Sequence, residues 1–138
     1  MKHWIAKSEP GTYSFEQFRK DKTTAWTGIR NFQARNFLRE MAKGDEVFFY
    51  HSGDGKEVVG TATVIKAAYP DPTVEPGEKG EWSCVDLKAG AALPKPVTLA
   101  ALKVHPVLKH ILLVRHSRIS VSPLGAPEAA VLRKLGGL

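Results

Sequence analysis

The stretch Val47-Phe48-Phe49-Tyr50-His51 is the strongest indication of the fold. Apolar side chains occupy both alternating positions of this stretch, a pattern typical of a strand that is covered on both faces. Ser52-Gly53-Asp54-Gly55 follows it and has the composition of a hairpin turn. The next predicted strand, Val58 to Ala67, carries Gly60 and Ala62 on one face. Small residues at these positions allow tight curvature or the close approach of another group.

Shorter alternating stretches extend the predicted sheet. Trp82 to Leu87 and Arg118 to Ser122 read as strands, and Trp4 to Ala6 is a further short apolar stretch. The segment from Ala68 to Gly80 reads as an irregular loop with three prolines, and Pro94-Lys95-Pro96 is expected to end the strand region. The elements do not alternate as in a parallel α/β protein. We therefore expect one α+β domain over residues 1–138, a small, curved, barrel-like mixed sheet with flanking helices.

The clearest predicted helix follows Asn31, a plausible N-cap residue. Its apolar positions fall on one face, and basic residues recur every four positions on the other. Gly44 stands where a C-cap glycine is expected. Ser14 and Thr98 are expected to cap two shorter helices, and Pro127 to Leu135 reads as a last helix closed by Gly136-Gly137. The apolar face comprises Ala34, Phe37, Leu38 and Met41, and the basic face comprises Arg35, Arg39 and Lys43.

Composition places the chain among ordinary globular proteins. Of its 138 residues, 43% are hydrophobic and 25% are charged. A single cysteine, Cys84, excludes an internal disulfide framework. No apolar run approaches the roughly 20 residues of a membrane span, and the N-terminus lacks the apolar region of a signal peptide. We therefore expect a complete, cytoplasmic protein with no membrane association.

The charge distribution favours a polyanionic partner. The net charge is +6, and it is unevenly spread. Residues 1–50 carry nine basic and six acidic side chains, residues 51–97 five and seven, and residues 98–138 six and one. Basic surfaces attract phosphates because binding releases condensed counterions. Charge alone leaves open whether the partner is a nucleic acid, since many enzymes are equally basic.

Known catalytic and metal-binding patterns are poorly represented. The five histidines and one cysteine do not have the paired spacings of a zinc site, and no glycine-rich phosphate loop occurs. Cys84 could serve as a nucleophile, but its alternating strand favours a buried, inert thiol. His51, Asp54 and Glu57 could form an acid–base group, although polar residues are expected at any hairpin. We expect no metal and no cofactor.

Four clusters combine aromatic and hydrogen-bonding residues. They are Lys7-Ser8-Glu9-Pro10, Trp26 to Asn31, Tyr50-His51-Ser52 and Ala68-Tyr69-Pro70-Asp71. A pocket for an unstacked base needs aromatic walls, groups that read the base edge, and cations for the flanking phosphates. Each cluster also has a structural interpretation: core packing for Trp26, a turn and cap for Ser8 and Glu9, and a solvated helix face for the basic residues.

The residues in these clusters resemble an EVE domain, as in the thymocyte nuclear protein family. The resemblance covers about residues 3 to 125 and rests on long ordered strings. The strings are Trp4 with Lys7-Ser8-Glu9-Pro10, Trp26-Thr27-Gly28-Ile29-Arg30-Asn31-Phe32-Gln33-Ala34-Arg35-Asn36-Phe37-Leu38-Arg39, Gly44-Asp45, Phe48-Phe49-Tyr50-His51-Ser52, Ala68-Tyr69-Pro70-Asp71-Pro72-Thr73 and Trp82-Ser83-Cys84-Val85-Asp86. The resemblance implies a PUA-like fold, kinship with YTH, ASCH and SRA-type domains, and a pocket for one modified base, with modified cytosine in DNA as a leading candidate.

Carried onto this sequence, the resemblance implies one pocket between the segment 7–10, the loop 26–30 and the strand end 50–52. Trp26 would stack on the base. Its edge would be read by Ser8, Glu9 and Asn31; Arg30, Arg35 and His51 would make polar or phosphate contacts; Lys7, Tyr50 and Ser52 would complete the walls; and Tyr69 and Asp71 would form a rim. The resulting hypothesis is a non-enzymatic reader of a modified base in DNA or RNA.

Two other functions remain open at this point. A nuclease or base-modifying hydrolase on an ASCH-type scaffold would use His51 or Glu9 as a general acid or base. A protein-interaction module would instead need exposed apolar anchors, which the four clusters supply less well than charged and hydrogen-bonding groups.

Overall fold

A computed structural model describes residues 1–53, 55–116 and 118–138, and within these ranges it contains one six-stranded mixed sheet and five helices. The strands are β1 (His3–Ser8), β2 (Thr23–Ala25), β3 (Glu46–His51), β4 (Glu57–Pro70), β5 (Ser83–Thr98) and β6 (Val121–Leu124). The helices are α1 (Phe15–Asp21), α2 (Phe32–Glu40), α3 (Leu99–Val104), α4 (Leu112–Arg115) and α5 (Ala126–Leu135). The strand order is β2-β5-β4-β3-β1-β6, with β1 parallel to β3 and the other pairs antiparallel.

Strand β3 separates the two hydrophobic cores of the protein. Val47 and Phe49 belong to one core, which includes buried residues of α1 and α2. Phe48 and Tyr50 belong to the other, which includes buried residues of α3 and α5. The prediction that this strand is covered on both faces is confirmed. The predicted α+β class, with a mixed sheet and flanking helices, is confirmed as well.

The sheet is bent where β4 pairs with β5. The register between these strands shifts at four places along their length, and such irregularities increase local twist. Gly60 lies at this bend, where a Cβ atom would stand only 2.1 Å from Cζ of Phe15. The predicted close approach at Gly60 is therefore confirmed. Within the described ranges, strand pairing does not close the sheet, because β2 and β6 remain as its edges.

Three strands differ from their predicted bounds. β4 continues to Pro70, β5 continues through Pro94 and Pro96 to Thr98, and β6 includes Pro123. Proline lacks the N–H that a strand ladder needs, so it is tolerated only where no neighbour accepts from that position. β2 pairs with β5 only as far as Lys88, and β6 is an edge strand. The prolines therefore extend strands whose outer sides carry no paired neighbour among the described residues.

The helix caps confirm most of the local predictions. The side chains of Ser14, Asn31 and Thr98 accept hydrogen bonds from the backbone N–H three residues ahead. The prediction of Gly44 as a C-cap is wrong, because α2 ends at Glu40 and Met41 is already extended. Buried Asp45 accepts a hydrogen bond from the Ala42 N–H at 2.9 Å, which turns the chain away before another helical turn forms. Gly44 serves that turn with a φ of 96°.

Candidate functional site

A cavity of about 390 Å³ opens beside the ends of β1 and β2. This volume is within the range of small-molecule sites in proteins. Three segments form the cavity: the end of β1, the turn that follows it, and the connection from β2 to α2. The lining residues are Lys7, Ser8, Thr12, Tyr13, Thr24, Ala25, Trp26, Thr27 and Ile29. Three of the predicted site residues, Lys7, Ser8 and Trp26, therefore share one cavity.

The turn after β1 holds one wall of this cavity. The backbone N–H groups of Thr12 and Tyr13 both donate to the Glu9 carbonyl, at 3.0 and 2.8 Å. The Ser8 hydroxyl donates to the Tyr13 carbonyl at 2.7 Å, so Ser8 fastens the turn as well as lining the cavity. The Tyr13 hydroxyl donates to Asp21 at 2.8 Å, which fixes its ring at the mouth. Glu9 supplies the backbone carbonyl of this wall and is exposed to solvent.

Trp26 forms an adjoining aromatic wall, and its ring lies edge-on to the Tyr13 ring with 6.5 Å between centroids. Its backbone N–H donates to the Val85 carbonyl at 2.7 Å, and its ring packs edge-on against Phe49 at 5.6 Å between centroids. The residue is only 7% exposed. No described residue accepts a hydrogen bond from its indole nitrogen, yet no buried side-chain nitrogen or oxygen in the described ranges lacks a partner. The indole N–H must therefore reach solvent, and it is a donor available to a ligand.

The cavity lining mixes apolar and polar groups and contains no acidic side chain. It combines the Lys7 ammonium with the hydroxyl groups of serine, threonine and tyrosine, and no carboxylate is among the lining residues. Burial lowers the pKa of Lys7 and raises the pKa of Tyr13. Such a lining suits a flat, uncharged ring that is joined to an anionic group, because the ring contacts Trp26 while the cation faces the negative charge.

Arg30 and Asp71 form an ion-paired clasp at the β2–α2 loop, in which the Asp71 side chain is buried and the Arg30 side chain is 27% exposed. Arg30 donates to Asp71 at 3.1 Å and to Glu78 at 2.6 Å, so its charge is already neutralised. The Asp71 side chain is 0% exposed and also accepts from Gly28 and from Thr73. Asp71 therefore holds the β2–α2 loop in place. Arg30 positions the same loop through its ion pairs, and its predicted phosphate contact stays a prediction.

His51 also has a structural role that sequence reasoning did not predict. Its Nε2 atom accepts a hydrogen bond from the Phe15 N–H at 3.0 Å. An accepting Nε2 requires a neutral imidazole with its proton on Nδ1. Burial lowers the pKa of His51, against the opposing effect of Glu57 on the paired strand. In this tautomer the Nδ1–H group remains as a donor, and the predicted contact with phosphate stays a prediction. Asp54, the third member of the acid–base group considered above, lies outside the described residues.

The His51 contact predicts a pH dependence of stability. Because the folded pKa lies below the unfolded value of about 6.5, the stabilisation is complete above that pH and declines as the pH falls toward the lowered pKa. We expect the free energy of unfolding, measured with urea at pH 7.5 and 5.5, to fall between these two values. His51→Gln should reduce that difference. His110→Gln, on an exposed turn, should retain it, and an equal reduction in both variants would contradict this assignment.

Tyr50 and Ser52 do not line the cavity that contains Trp26, and the single pocket that the resemblance implies stays a prediction. They line a second cavity of about 270 Å³, with Lys56, Lys103 and Leu113 among its other walls. Lys7 lines both cavities. Tyr50 lies on the opposite face of β3 from Phe49, which packs against Trp26. The alternation of side chains along β3 therefore sends the strand-end residues to the other side.

The remaining predicted residues lie around the outside of α2. Asn31 uses its side-chain oxygen to cap α2 at 2.9 Å and borders a groove described below. The Arg35 guanidinium contacts the Phe32 and Trp82 rings, so it is not simply a solvated charge. Tyr69 donates a hydrogen bond to Asp86, which raises the pKa of Tyr69. Tyr69 and Asp71 both line another cavity, of about 620 Å³, which Trp82 and Ser83 also border.

Sequence reasoning missed Tyr13, Thr24 and Thr27 as cavity residues. Tyr13 enters the site because the turn fastened by Ser8 folds back over the end of β1. The signal in the sequence was Pro10-Gly11, a turn dipeptide placed directly before the tyrosine. Thr24 precedes the predicted loop, and its position depends on β2 pairing with β5. That pairing joins residues more than 60 positions apart.

The structure also bears on the cysteine, on possible metal ligands and on possible membrane-spanning helices. Cys84 is completely buried, and burial raises the pKa of its thiol, as expected for an inert cysteine. Among the described residues, no group of three or more histidine, cysteine, aspartate or glutamate side chains could hold a metal ion. No helix in residues 1–53, 55–116 and 118–138 has the length and apolar character to cross a bilayer.

The fold and the cavity define a small α+β domain that presents a partly aromatic cavity at the ends of its strands. The chain belongs to the EVE-domain family, whose pattern matches residues 2–135. It is 35% identical to human thymocyte nuclear protein 1, over 91% of this chain and 70% of that protein. The structure of the human protein in complex with DNA containing 5-methylcytosine superposes with a TM-score of 0.90 and 33% identity, and covers 100% of this chain and 99% of that chain.

Two further solved structures delimit the fold. A protein from Agrobacterium tumefaciens is 40% identical, with a TM-score of 0.93, and covers 100% of this chain and 94% of that chain. The YTH domain of a Zygosaccharomyces rouxii protein, in complex with N6-methyladenosine RNA, has a TM-score of 0.60 and 16% identity, and covers 99% of this chain and 87% of that chain. The second likeness concerns the fold alone. The likeness to YTH domains that the resemblance implied is therefore observed in the fold, and in the fold alone.

Proposed function

We propose that this chain is a reader of a modified base in nucleic acid, acting as a single EVE unit over residues 1–138, with 5-methylcytosine in DNA as its first candidate ligand. The observation that carries the proposal is the cavity lined by Tyr13 and Trp26, which has an accessible indole N–H, several hydroxyl groups, one lysine and no carboxylate in its lining. The complex of human thymocyte nuclear protein 1 with methylated DNA supports the choice of ligand.

Binding follows from the chemistry of the lining. Trp26 contacts the flipped base, the hydroxyl groups and the indole N–H read its edge, and Lys7 faces the attached phosphate. Contact between a base and an aromatic ring contributes about 1–3 kcal/mol. A methyl group that fills an apolar recess adds about 0.8 kcal/mol, or roughly four-fold in affinity. Ile29, 9% exposed, supplies apolar surface in the same cavity.

We propose that the chain binds without catalysing a reaction. The cavity lining contains no histidine, cysteine, aspartate or glutamate, the groups that most often serve as general acids or bases. His51, the histidine that the hydrolase hypothesis would use, is not among the lining residues, and its Nε2 atom accepts a hydrogen bond from the Phe15 N–H. The rival hydrolase hypothesis therefore has less support in the geometry than the reader.

The direct test is a binding titration with matched oligonucleotides of DNA and RNA that carry cytosine or 5-methylcytosine. We expect a preference of about four-fold or more for the methylated DNA, with all strands intact afterwards. Trp26→Phe, which removes the indole N–H, should weaken binding about five-fold or more, as the loss of about 1 kcal/mol implies. Lys7→Met should also weaken binding and reduce its salt dependence.

Matched controls separate the site from general effects. Trp4→Phe changes another buried tryptophan, one that does not line the cavity, and Lys43→Met removes an exposed lysine at the far end of α2. Both should retain the preference for methylated DNA. Equal binding of methylated and unmethylated strands would refute base reading, and shortened strands would establish the hydrolase.

A further inference from the structure

An exposed aromatic platform lies directly beyond the cavity loop. Phe32, the first residue of α2, is 59% exposed although it is a large apolar side chain. Its ring is stacked on Trp82, with 4.9 Å between centroids and 26° between planes. Trp82 is 8% exposed and packs against Gly80, where a Cβ would stand 2.9 Å from the indole. The Trp82 ring is therefore held in place beneath the exposed Phe32 ring.

One face of Phe32 remains open to a partner. The Arg35 guanidinium lies 4.9 Å from the Phe32 centroid and 5.7 Å from the Trp82 centroid. Because these distances and the 4.9 Å between the rings form a nearly equilateral triangle, Arg35 is not on the face opposite Trp82. The 59% exposure of Phe32 therefore comes from the ring face that points away from Trp82. A flat, cation-flanked aromatic surface of this kind suits stacking by a base.

A basic groove borders one side of the platform. A groove of about 370 Å³ starts at Asn31, the residue before Phe32, and is also bordered by Gln33, Arg115, His116 and Arg118. It has no acidic residue in its lining, and α2 carries none in its first turn. Arg115 and Arg118 make no ion pair among the described residues, in contrast to Arg30. Arg115 and Arg118 are therefore available to bind an anion, whereas Arg30 is already paired with Asp71 and Glu78.

We propose that Phe32 stacks on the nucleotide next to the one held in the cavity, and that Arg115 and Arg118 contact the phosphates of the same strand. The inference rests on the proposed function and extends it from a single base to a strand. Phe32 follows the cavity residue Ile29 by three positions, so the chain between them spans at most about 10 Å. A flipped nucleotide stays joined to its neighbour through one phosphate, so the neighbouring base lies close enough to reach a ring at this distance.

The test compares a 5-methylcytosine oligonucleotide with free 5-methyl-2′-deoxycytidine, the latter followed by NMR shifts. Phe32→Ala should weaken oligonucleotide binding between about five-fold and 100-fold and leave nucleoside binding unchanged. Phe32→Tyr should retain both. The matched control is Val104→Ala, which truncates an apolar side chain that is 79% exposed on α3, and it should change neither. A 2-aminopurine beside the modified base should be quenched by the wild type and not by Phe32→Ala.

The groove has its own readout, the dependence of affinity on salt. Each phosphate contact contributes about 0.7 to the log–log slope for a single strand. Arg115→Gln with Arg118→Gln should therefore lower that slope by about 1.4. The exposed pair Lys109→Gln with Lys134→Gln is the charge-matched control and should leave the slope unaltered.

The outcomes separate this inference from the proposed function. Unchanged oligonucleotide affinity in Phe32→Ala overturns the platform, and so does an equal loss for oligonucleotide and nucleoside, since Phe32 would then act through the cavity. If the wild type binds all strands without preference, base reading fails, but a loss on Phe32→Ala still supports the platform. A wild type that binds no strand overturns both.

Discussion

Replacing Asp71 with asparagine should destabilise the protein by about 2–4 kcal/mol. The carboxylate is completely buried and accepts hydrogen bonds from Arg30, Gly28 and Thr73. An asparagine amide presents one oxygen and one NH₂ group, so donors on one side lose their acceptor. Urea denaturation of Asp71→Asn measures this loss.

The same carboxylate predicts a loss of stability in acid. Burial by itself would raise the pKa of Asp71, but the hydrogen bonds from Thr73, Gly28 and Arg30 outweigh it and lower the pKa to about 2. An unfolded aspartate has a pKa of about 3.9. The stabilisation is therefore complete above about pH 4 and is lost as the pH falls from 4 to 2, by about 2–3 kcal/mol in total. Asp71→Asn should lack this part of the acid dependence.

The matched control for Asp71 is Glu81→Gln, which removes one negative charge from an exposed side chain in the same loop region. Its stability should change by less than about 0.5 kcal/mol. If the two variants lose stability equally, or if Asp71→Asn retains the full acid dependence, Asp71 is not the clasp described here. Weaker base binding should accompany the stability loss, because Gly28 and the cavity loop are held by the same carboxylate.

Gly60→Ala should destabilise the protein by about 1–3 kcal/mol. The added methyl group would stand 2.1 Å from Cζ of Phe15, well inside van der Waals contact. The Phe15 ring cannot move away freely because it packs against Phe18 and Phe49 in the core. The φ angle of Gly60 is not among the positive values, so the effect is steric and does not come from the backbone.

Two variants test whether the collision with Phe15 is the cause. Gly11→Ala adds the same methyl group where no atom lies within 4 Å, and its stability should stay within about 0.5 kcal/mol of the wild type. Phe15→Leu removes the colliding atoms. In the double variant the loss should be smaller than the sum of the two single losses. Additive losses would show that Gly60 is required for a reason other than the approach of Phe15.

Local signals predicted the parts of this protein that depend on neighbouring residues. Ser14, Asn31 and Thr98 were recognisable as caps because a cap is satisfied within three residues of itself. The burial of both faces of β3 was visible in its own side chains. Where a distant group intervenes, such signals fail. The C-cap predicted at Gly44 was wrong because Asp45, held by Trp4 and Lys2, ends the helix first.

The sequence by itself determined the fold class, the family and two of the segments that line the candidate cavity, because hydrophobic patterning and motif strings are properties of the chain. Only the tertiary structure decided which of those residues face one another. Trp26 and Tyr50 both lie near the ends of strands, but packing on opposite sides of the sheet sends them to different cavities. Arg30 is basic in the sequence, yet its charge is neutralised by Asp71 and Glu78, more than 40 positions away. Charge and exposure depend on long-range contacts, which no local pattern contains.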